Sequence, residues 1–341
     1  MTNTSIVVCG RKFDIGTRVV LWDEPHGFNA YDTAPYVMTN HDRQTGAEKR
    51  VVLAKGRRYS KRTTIVKPNF EKLKQIVKQF FLHHSGLYRS RDTFNVLHNQ
   101  RGLSVHFILD DDGTLYQTLD LREKAWHGGG NNSLSVGIEI DSRADARKRP
   151  YAYDAAHQRK YGVGPRRIVA DTINGHRYLG FDYSDGQYAT LIHLARAMVE
   201  IFPLINPVFP TDDAGRILKR TLPRPKRHRG FICHYHITKS KWDPVAFDYD
   251  RLLLGVKSGN PDEPRCMPEE EPAHYDLDTW RDRQQALALL GYDPGPIDGM
   301  FGRRTRDALE RFQMEHGLQI DGIWGPNTEQ AMRQALVATT E

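Results

Sequence analysis

Apolar and polar positions change their spacing several times along the chain, and each change predicts an element. Residues 1–66 carry short alternating runs ("SIVVCG", "TRVVLW", "RVVLAKG"), the pattern of hairpins or edge strands. "NFEKLKQIVKQ" then has helical spacing. An apolar strand follows, ending in "FFLHHSG", and "RDTFNVLHNQ" predicts a helix. "SVHFILD" and "TLYQTLD" read as strands joined by a turn at "DDDG". "LSVGIEID" (134–141) has the character of a buried strand. "SDGQYATLIHLARAMVEIF" predicts a helix with Ser184 as N-cap and its apolar residues on one face. "RGFICHYHI" predicts another strand. Strands interleaved with helices define an α/β fold, a mixed central β-sheet flanked by helices.

The pattern breaks at Ser258 to His274, which is rich in proline and acid and poor in apolar residues. Such a composition resists packing and reads as a semi-extended linker. Beyond it lies a repeat: "DGMFGRRTRDAL" starts at Asp298 and "DGIWGPNTEQAM" at Asp321. Its glycines suit turns with positive φ, and Thr305 and Thr328 fall near helix starts. "DTWRDRQQALALLGY" adds a helix with Gly291 as its C-cap. The expected organisation is a β-rich extension at 1–66, an α/β domain at 67–257, a linker at 258–275 and a small all-α C-terminal domain at 276–341.

Composition narrows the function. The 341 residues are 27% charged and 39% hydrophobic, ordinary for a soluble globular protein. No apolar run approaches the roughly 20 residues that cross a bilayer, which argues against membrane insertion. The N-terminus lacks a basic stretch followed by a long apolar one, so no signal peptide is evident. Cytoplasmic synthesis, with action after release or export, is the expectation. A net charge of +7 is modest over this length and reads either as simple solubility or as favouring a polyanionic partner: nucleic acid, anionic wall polymer or a membrane surface. The basic run "KRTLPRPKRHRG" (219–230) has no nucleic-acid-binding motif beside it and reads as a solvated loop, so no nucleic acid is expected. Cys9, Cys233 and Cys266 form no C-x-x-C pair, which excludes a disulfide framework and a cysteine-rich metal site. The basic segment 142–183 is either an insertion beside a site or a solvated excursion.

Histidines and carboxylates supply the candidate chemistry. A catalytic zinc takes about three protein ligands and keeps one position open. His83, His84, His106, His127, His234, His236, Glu139 and Asp243 are the available donors. On a strand, His83 and His84 point in opposite directions, so only one can face a given site. In "CHYHITKSKWDP", read as a strand, His234 and His236 share a face, and Asp243 follows in the loop. A histidine pair plus a loop carboxylate could ligate zinc, or these could be solvent-side or hydrogen-bonded structural histidines; any one of them alone is more simply structural.

The pieces "FFLHHSG", "SVHFILDDDGTLYQTLD", "AWHGGGNNSLSVGIEI", "GQYATLIHLARAMVE" and "CHYHITKSKWDP" occur in an order that resembles the zinc-dependent N-acetylmuramoyl-L-alanine amidases of the peptidoglycan-recognition and phage-lysozyme type. The resemblance covers about residues 67–256. The tail, about 276–336, resembles the peptidoglycan-binding repeat domain of wall hydrolases.

The resemblance implies a zinc cofactor held by His83, by His234 as the best match to the second ligand, and by Asp243. His236 stands two positions on, and the sequence leaves the choice between His234 and His236 open. It implies Glu139 as general base and Lys241 as the cation that stabilises the reacting carbonyl. Val105 occupies a place where other branches carry a tyrosine, which leaves the base role to Glu139. Trp126, His127 and Asn132 of "WHGGGNN", with His106, are the expected substrate contacts. Tyr292, Phe301 and Trp324 of the tail are either core or wall contacts.

The implied reaction cuts the amide between N-acetylmuramic acid and L-alanine in peptidoglycan. A non-catalytic peptidoglycan-recognition protein is the alternative, disfavoured because all three ligand positions are filled. A phage endolysin, an exported effector and a recycling enzyme all fit the sequence. A monomer is expected.

Overall fold

The computed structural model describes residues 2–33, 36–41, 48–53, 56, 58–62, 69–149, 152–264 and 277–338. Six strands form the central sheet: β1 (Val19–Leu21), β2 (Gln79–His84), β3 (Phe107–Leu109), β4 (Leu115–Gln117), β5 (Ser135–Ile140) and β6 (Gly230–Cys233). Their order is β6-β2-β5-β3-β4-β1. β6, β2, β5 and β3 run parallel to their neighbours, and β4 turns back against β3 to make the sheet mixed. Parallel neighbours are joined by crossovers and not by tight hairpins, and every residue of β2 and β5 except His84 is buried.

The two faces of the sheet differ. Phe80, Leu82, Val136, Ile138, Ile140, Phe231 and Cys233 join one apolar cluster with helix α1 (Asp185–Ile201). That helix begins as its sequence predicts: Ser184 and Gln187 form a reciprocal capping box, and Tyr188, Leu191, Ile192, Leu194, Ala195 and Met198 are buried. Helix α2 (Tyr249–Ser258) packs beside it. Alternation sends Phe81, His83, Gly137 and Glu139 to the opposite face. Core packing on one side thus leaves the other for chemistry.

The N-terminal residues form the expected hairpins and edge strand. Ser5–Val8 pairs antiparallel with Arg11–Asp14, and Tyr36–His41 with Glu48–Leu53. β1 is the last strand of the central sheet. Gln117 ties the first hairpin down by accepting from the Val7 N–H and donating to the Val7 carbonyl, both at 2.8 Å.

Two predicted elements differ. The strand read through "RGFICHYHI" stops at Cys233, and His234–Ile237 is one turn of helix. The Cys233 N–H donates to His236 Nδ1 at 2.9 Å, so the histidine side chain reaches back and closes the turn. Segment 142–183 contains a helix, Ala155–Tyr161, and a hairpin pairing Ile168–Ile173 with His176–Phe181. Asn174 and Gly175 turn that hairpin with φ of 52° and 80°, the conformation that two-residue hairpin turns require.

Most of the proline- and acid-rich linker, residues 265–276, lies outside the described residues. Beyond it, α3 (Trp280–Leu289), α4 (Arg303–Glu315) and α5 (Pro326–Ala338) share a core of their own around Leu287, Leu309, Phe312, Met332 and Leu336. Helix α3 is capped at Leu290, and Gly291 follows at φ 90°. Each repeat is organised by a buried glutamine. Gln284 Nε2 donates to Asp298 Oδ1, the Met300 carbonyl and Thr305 Oγ1, while its Oε1 accepts the Gly299 N–H. Gln313 does the same for Asp321, Ile323, Thr328 and Gly322. Tyr292 belongs to the core, whereas Phe301 and Trp324 pack around Trp280 at the core's margin.

Candidate functional site

His83 is near the C-terminal end of β2, and His234 opens the turn that follows β6. Because β2 and β6 are parallel neighbours, with Leu82 opposite Cys233, their ends bring the two imidazoles together. Asp243 comes from the next loop, where its carbonyl accepts the His234 N–H at 3.0 Å. His83 Nδ1 lies 3.1 Å from His234 Nδ1 and 3.1 Å from Asp243 Oδ2, and His234 Nδ1 lies 2.9 Å from the same oxygen.

This donor set fits a zinc ion. Three ligand atoms converge within 4.8 Å of one another, two imidazole nitrogens and one carboxylate oxygen. A tetrahedral zinc with bonds of about 2.0–2.1 Å sets its ligands roughly 3.3 Å apart. Burial pushes His83 down to about 4, which keeps its ring neutral, as a ligand must be. Burial opposes the charge on Asp243, but hydrogen bonds from His234 and His83 outweigh it and hold the carboxyl well below the usual range. The Phe81 ring stacks on His83 at 4.3 Å and 10°, which fixes the plane of the imidazole.

Glu139 is opposite His83 in the parallel register, so its side chain shares the face on which the ligands meet. It is 7% exposed, and its Oε2 has no hydrogen-bond partner among the described residues. Burial raises its pKa well above the usual value, and the charges of Asp243 and Asp141 raise it further, against the pull of Lys241. A carboxyl so placed is suited to exchanging a proton. Lys241 is half-buried in the same loop as Asp243.

The remaining histidines separate by role. His236 is 0% exposed; its Nδ1 is occupied by Cys233 and its Nε2 donates to the Leu218 carbonyl at 2.7 Å. Its geometry therefore leaves His234 as the member of the pair that joins the cluster. His84 faces the other way, accepting the Val245 N–H and packing edge-on against Trp242 at 4.7 Å.

His106 departs from its expected role. It is 0% exposed, accepts the Gly137 N–H at Nδ1, and its Nε2 lies between the Glu123 carbonyl and Arg62. A ring so enclosed braces the sheet and cannot meet a substrate. Asn132 uses its Oδ1 to accept the N–H groups of His127 and Gly128, clasping its own loop. Trp126 is half-buried and donates from its indole to Ser60. His127 stands behind His83, with its Nδ1 3.0 Å from His83 Nε2.

The hairpin at 168–181 supports the loop that carries Lys241 and Asp243. Asn174 Nδ2 donates to the Lys241 carbonyl at 3.3 Å, and its Oδ1 accepts the Thr221 N–H at 2.8 Å. Asp171 accepts from Lys219 Nζ at 2.7 Å and from the Ala246 N–H at 3.2 Å. Tyr178 stacks flat on Trp242 at 5.0 Å and 6°. The Asn-Gly pair at its turn was the available signal.

Fold and site together define an α/β protein with a two-histidine, one-aspartate candidate metal centre beside a buried carboxyl. The chain belongs to the N-acetylmuramoyl-L-alanine amidase family, which it matches over residues 73–246. Residues 277–332 match a peptidoglycan binding domain. The chain is 40% identical over 62 residues to N-acetylmuramoyl-L-alanine amidase CwlL of Bacillus licheniformis, covering 16% of this chain and 17% of that protein. It is 46% identical over 52 residues to the spore cortex-lytic enzyme of Oceanobacillus iheyensis, covering 15% of this chain and 19% of that one. The chain therefore spans less than a fifth of the length of these relatives. The crystal structure of AmpDh3 from Pseudomonas aeruginosa is similar over 81% of this chain and 95% of its own, with 16% identity and a TM-score of 0.32. Among the described residues no helix is long and apolar enough to cross a membrane.

Proposed function

We propose that this protein hydrolyses the amide bond between the lactyl group of N-acetylmuramic acid and L-alanine in peptidoglycan. The observation that carries the reading is the convergence of His83 Nδ1, His234 Nδ1 and Asp243 Oδ2, with Glu139 opposite His83 on the neighbouring strand.

These three residues would hold zinc, which when bound supplies Lewis acidity toward the amide carbonyl and lowers the pKa of water toward about 7. Glu139 takes a proton from the attacking water and delivers it to the departing alanine nitrogen. Its raised pKa suits both halves of that transfer. Lys241 stabilises the negative charge that develops on the carbonyl oxygen. The products are the lactyl carboxylate of the glycan and a free α-amino group on L-alanine. The C-terminal helical domain would keep the enzyme on intact wall.

Mass spectrometry of fragments from purified wall tests the reading. Stem peptides beginning at a free L-alanine, with no new reducing sugar ends, are expected. New reducing ends, or no release at all, would contradict it.

A further inference from the structure

His127 lies outside the three-ligand cluster, yet its contacts leave little choice about its protonation. His83 presents Nδ1 to the cluster and Nε2 to His127 Nδ1 at 3.0 Å. If His83 binds zinc through Nδ1, its Nε2 carries the proton, and His127 Nδ1 must accept it. His127 then carries its own proton on Nε2, which faces Ser135 Oγ at 3.5 Å. Ser135 is free to accept there because its hydroxyl donates elsewhere, to the Asn131 carbonyl at 3.0 Å. Every donor in this line meets an acceptor.

The fold makes room for that ring and holds it. A Cβ on Gly137 would lie 2.5–2.7 Å from three atoms of the His127 imidazole, so the glycine before Ile138 and Glu139 opens the slot it fills. Phe81 stands edge-on to His127 at 5.2 Å, and Asn132 holds the His127 N–H.

We propose that His127 is a positioning residue that sets the tautomer and ring direction of His83, and not a substrate contact. The inference rests on His83 being a zinc ligand. A ligating histidine usually donates its second N–H to a carboxylate, a backbone carbonyl or water, and loss of that acceptor weakens metal binding by about 10–100-fold; His127 Nδ1 takes that place here.

The test uses the full-length protein, wild type and His127→Phe, His127→Ala and His127→Gln. Zinc affinity is measured by competition with a chromophoric chelator, the site is read by the visible spectrum of the cobalt-loaded protein, and circular dichroism checks the fold. His127→Phe fills the slot without an acceptor. It and His127→Ala should bind zinc about 10–100-fold more weakly, with a changed cobalt spectrum. His127→Gln, whose Oε1 can accept from His83, should recover much of the affinity. Zinc affinity within about twofold of wild type in His127→Phe, with an unchanged cobalt spectrum, would overturn the inference. A raised KM at unchanged zinc affinity would instead return His127 to the substrate. A wild-type protein that binds no zinc would remove the zinc reading itself, and this inference with it.

Discussion

Glu139 and His83 are direct partners in the parallel pairing of β5 and β2. Partners in a parallel pair point to the same face, so one register brings the candidate base and the first ligand together without any loop between them. Sites built on strands hold their geometry better than sites on loops.

Replacing Glu139 should therefore damage the reaction and spare the metal. Glu139→Gln keeps the shape and removes the proton transfer, which is worth about 10²–10⁴-fold in rate. The expected result is that loss in kcat with zinc content unchanged, measured on purified wall and by elemental analysis of the same preparation.

Lys241→Ala should lower kcat by about 10²–10³-fold, or roughly 2.7–4 kcal/mol, if the ammonium meets the developing oxyanion. KM should change little, because the charge it meets forms only in the transition state. A raised KM at constant kcat would instead make Lys241 a binding residue.

Asn174→Ala tests the hairpin's support of the catalytic loop. It leaves the Lys241 carbonyl and the Thr221 N–H without their partner. Stability should fall by about 0.5–1.5 kcal/mol, read from denaturant melts. kcat should fall as Lys241 loses its fixed backbone, while the zinc bound at saturation stays that of wild type.

How much of this could be read from the sequence depended on the element. The apolar face of α1 and its Ser184 cap were plain, because periodicity and capping chemistry agree there. Alternation showed that His83 and His84 must part, but not which of them met the core, since β2 is apolar on both faces. Reading "CHYHI" as a strand put His234 and His236 on one face; the helical turn that separates them depends on His236 bonding the Cys233 N–H, and no sequence rule names such a cap. The repeat in the tail was visible at its turns. The glutamines that organise it were not, because Gln284 and Gln313 precede their turns at different distances.

Stability should depend on pH through Asp141. Burial, then the charge of Asp110, raises its pKa well above the usual value, against hydroxyl groups from Thr93, Ser90 and Ser85. A carboxyl with a raised folded pKa favours the fold when protonated, so its contribution is lost as pH climbs from the usual carboxylate range through the raised value. Asp141→Asn removes that titration. The Tm of the variant relative to wild type should rise as pH rises above about 4; a difference that stays flat across that range would show that Asp141 is already charged in the fold.

The asymmetry of the histidine pair gives the most direct test of the metal centre. Zinc bound per chain is measured in the purified full-length protein, in His83→Ala and in His84→Ala. A zinc held by His83 requires one zinc per chain in wild type, none in His83→Ala, and retained zinc in His84→Ala, whose ring contacts Val245 and Trp242 instead. Full zinc content in His83→Ala would contradict it.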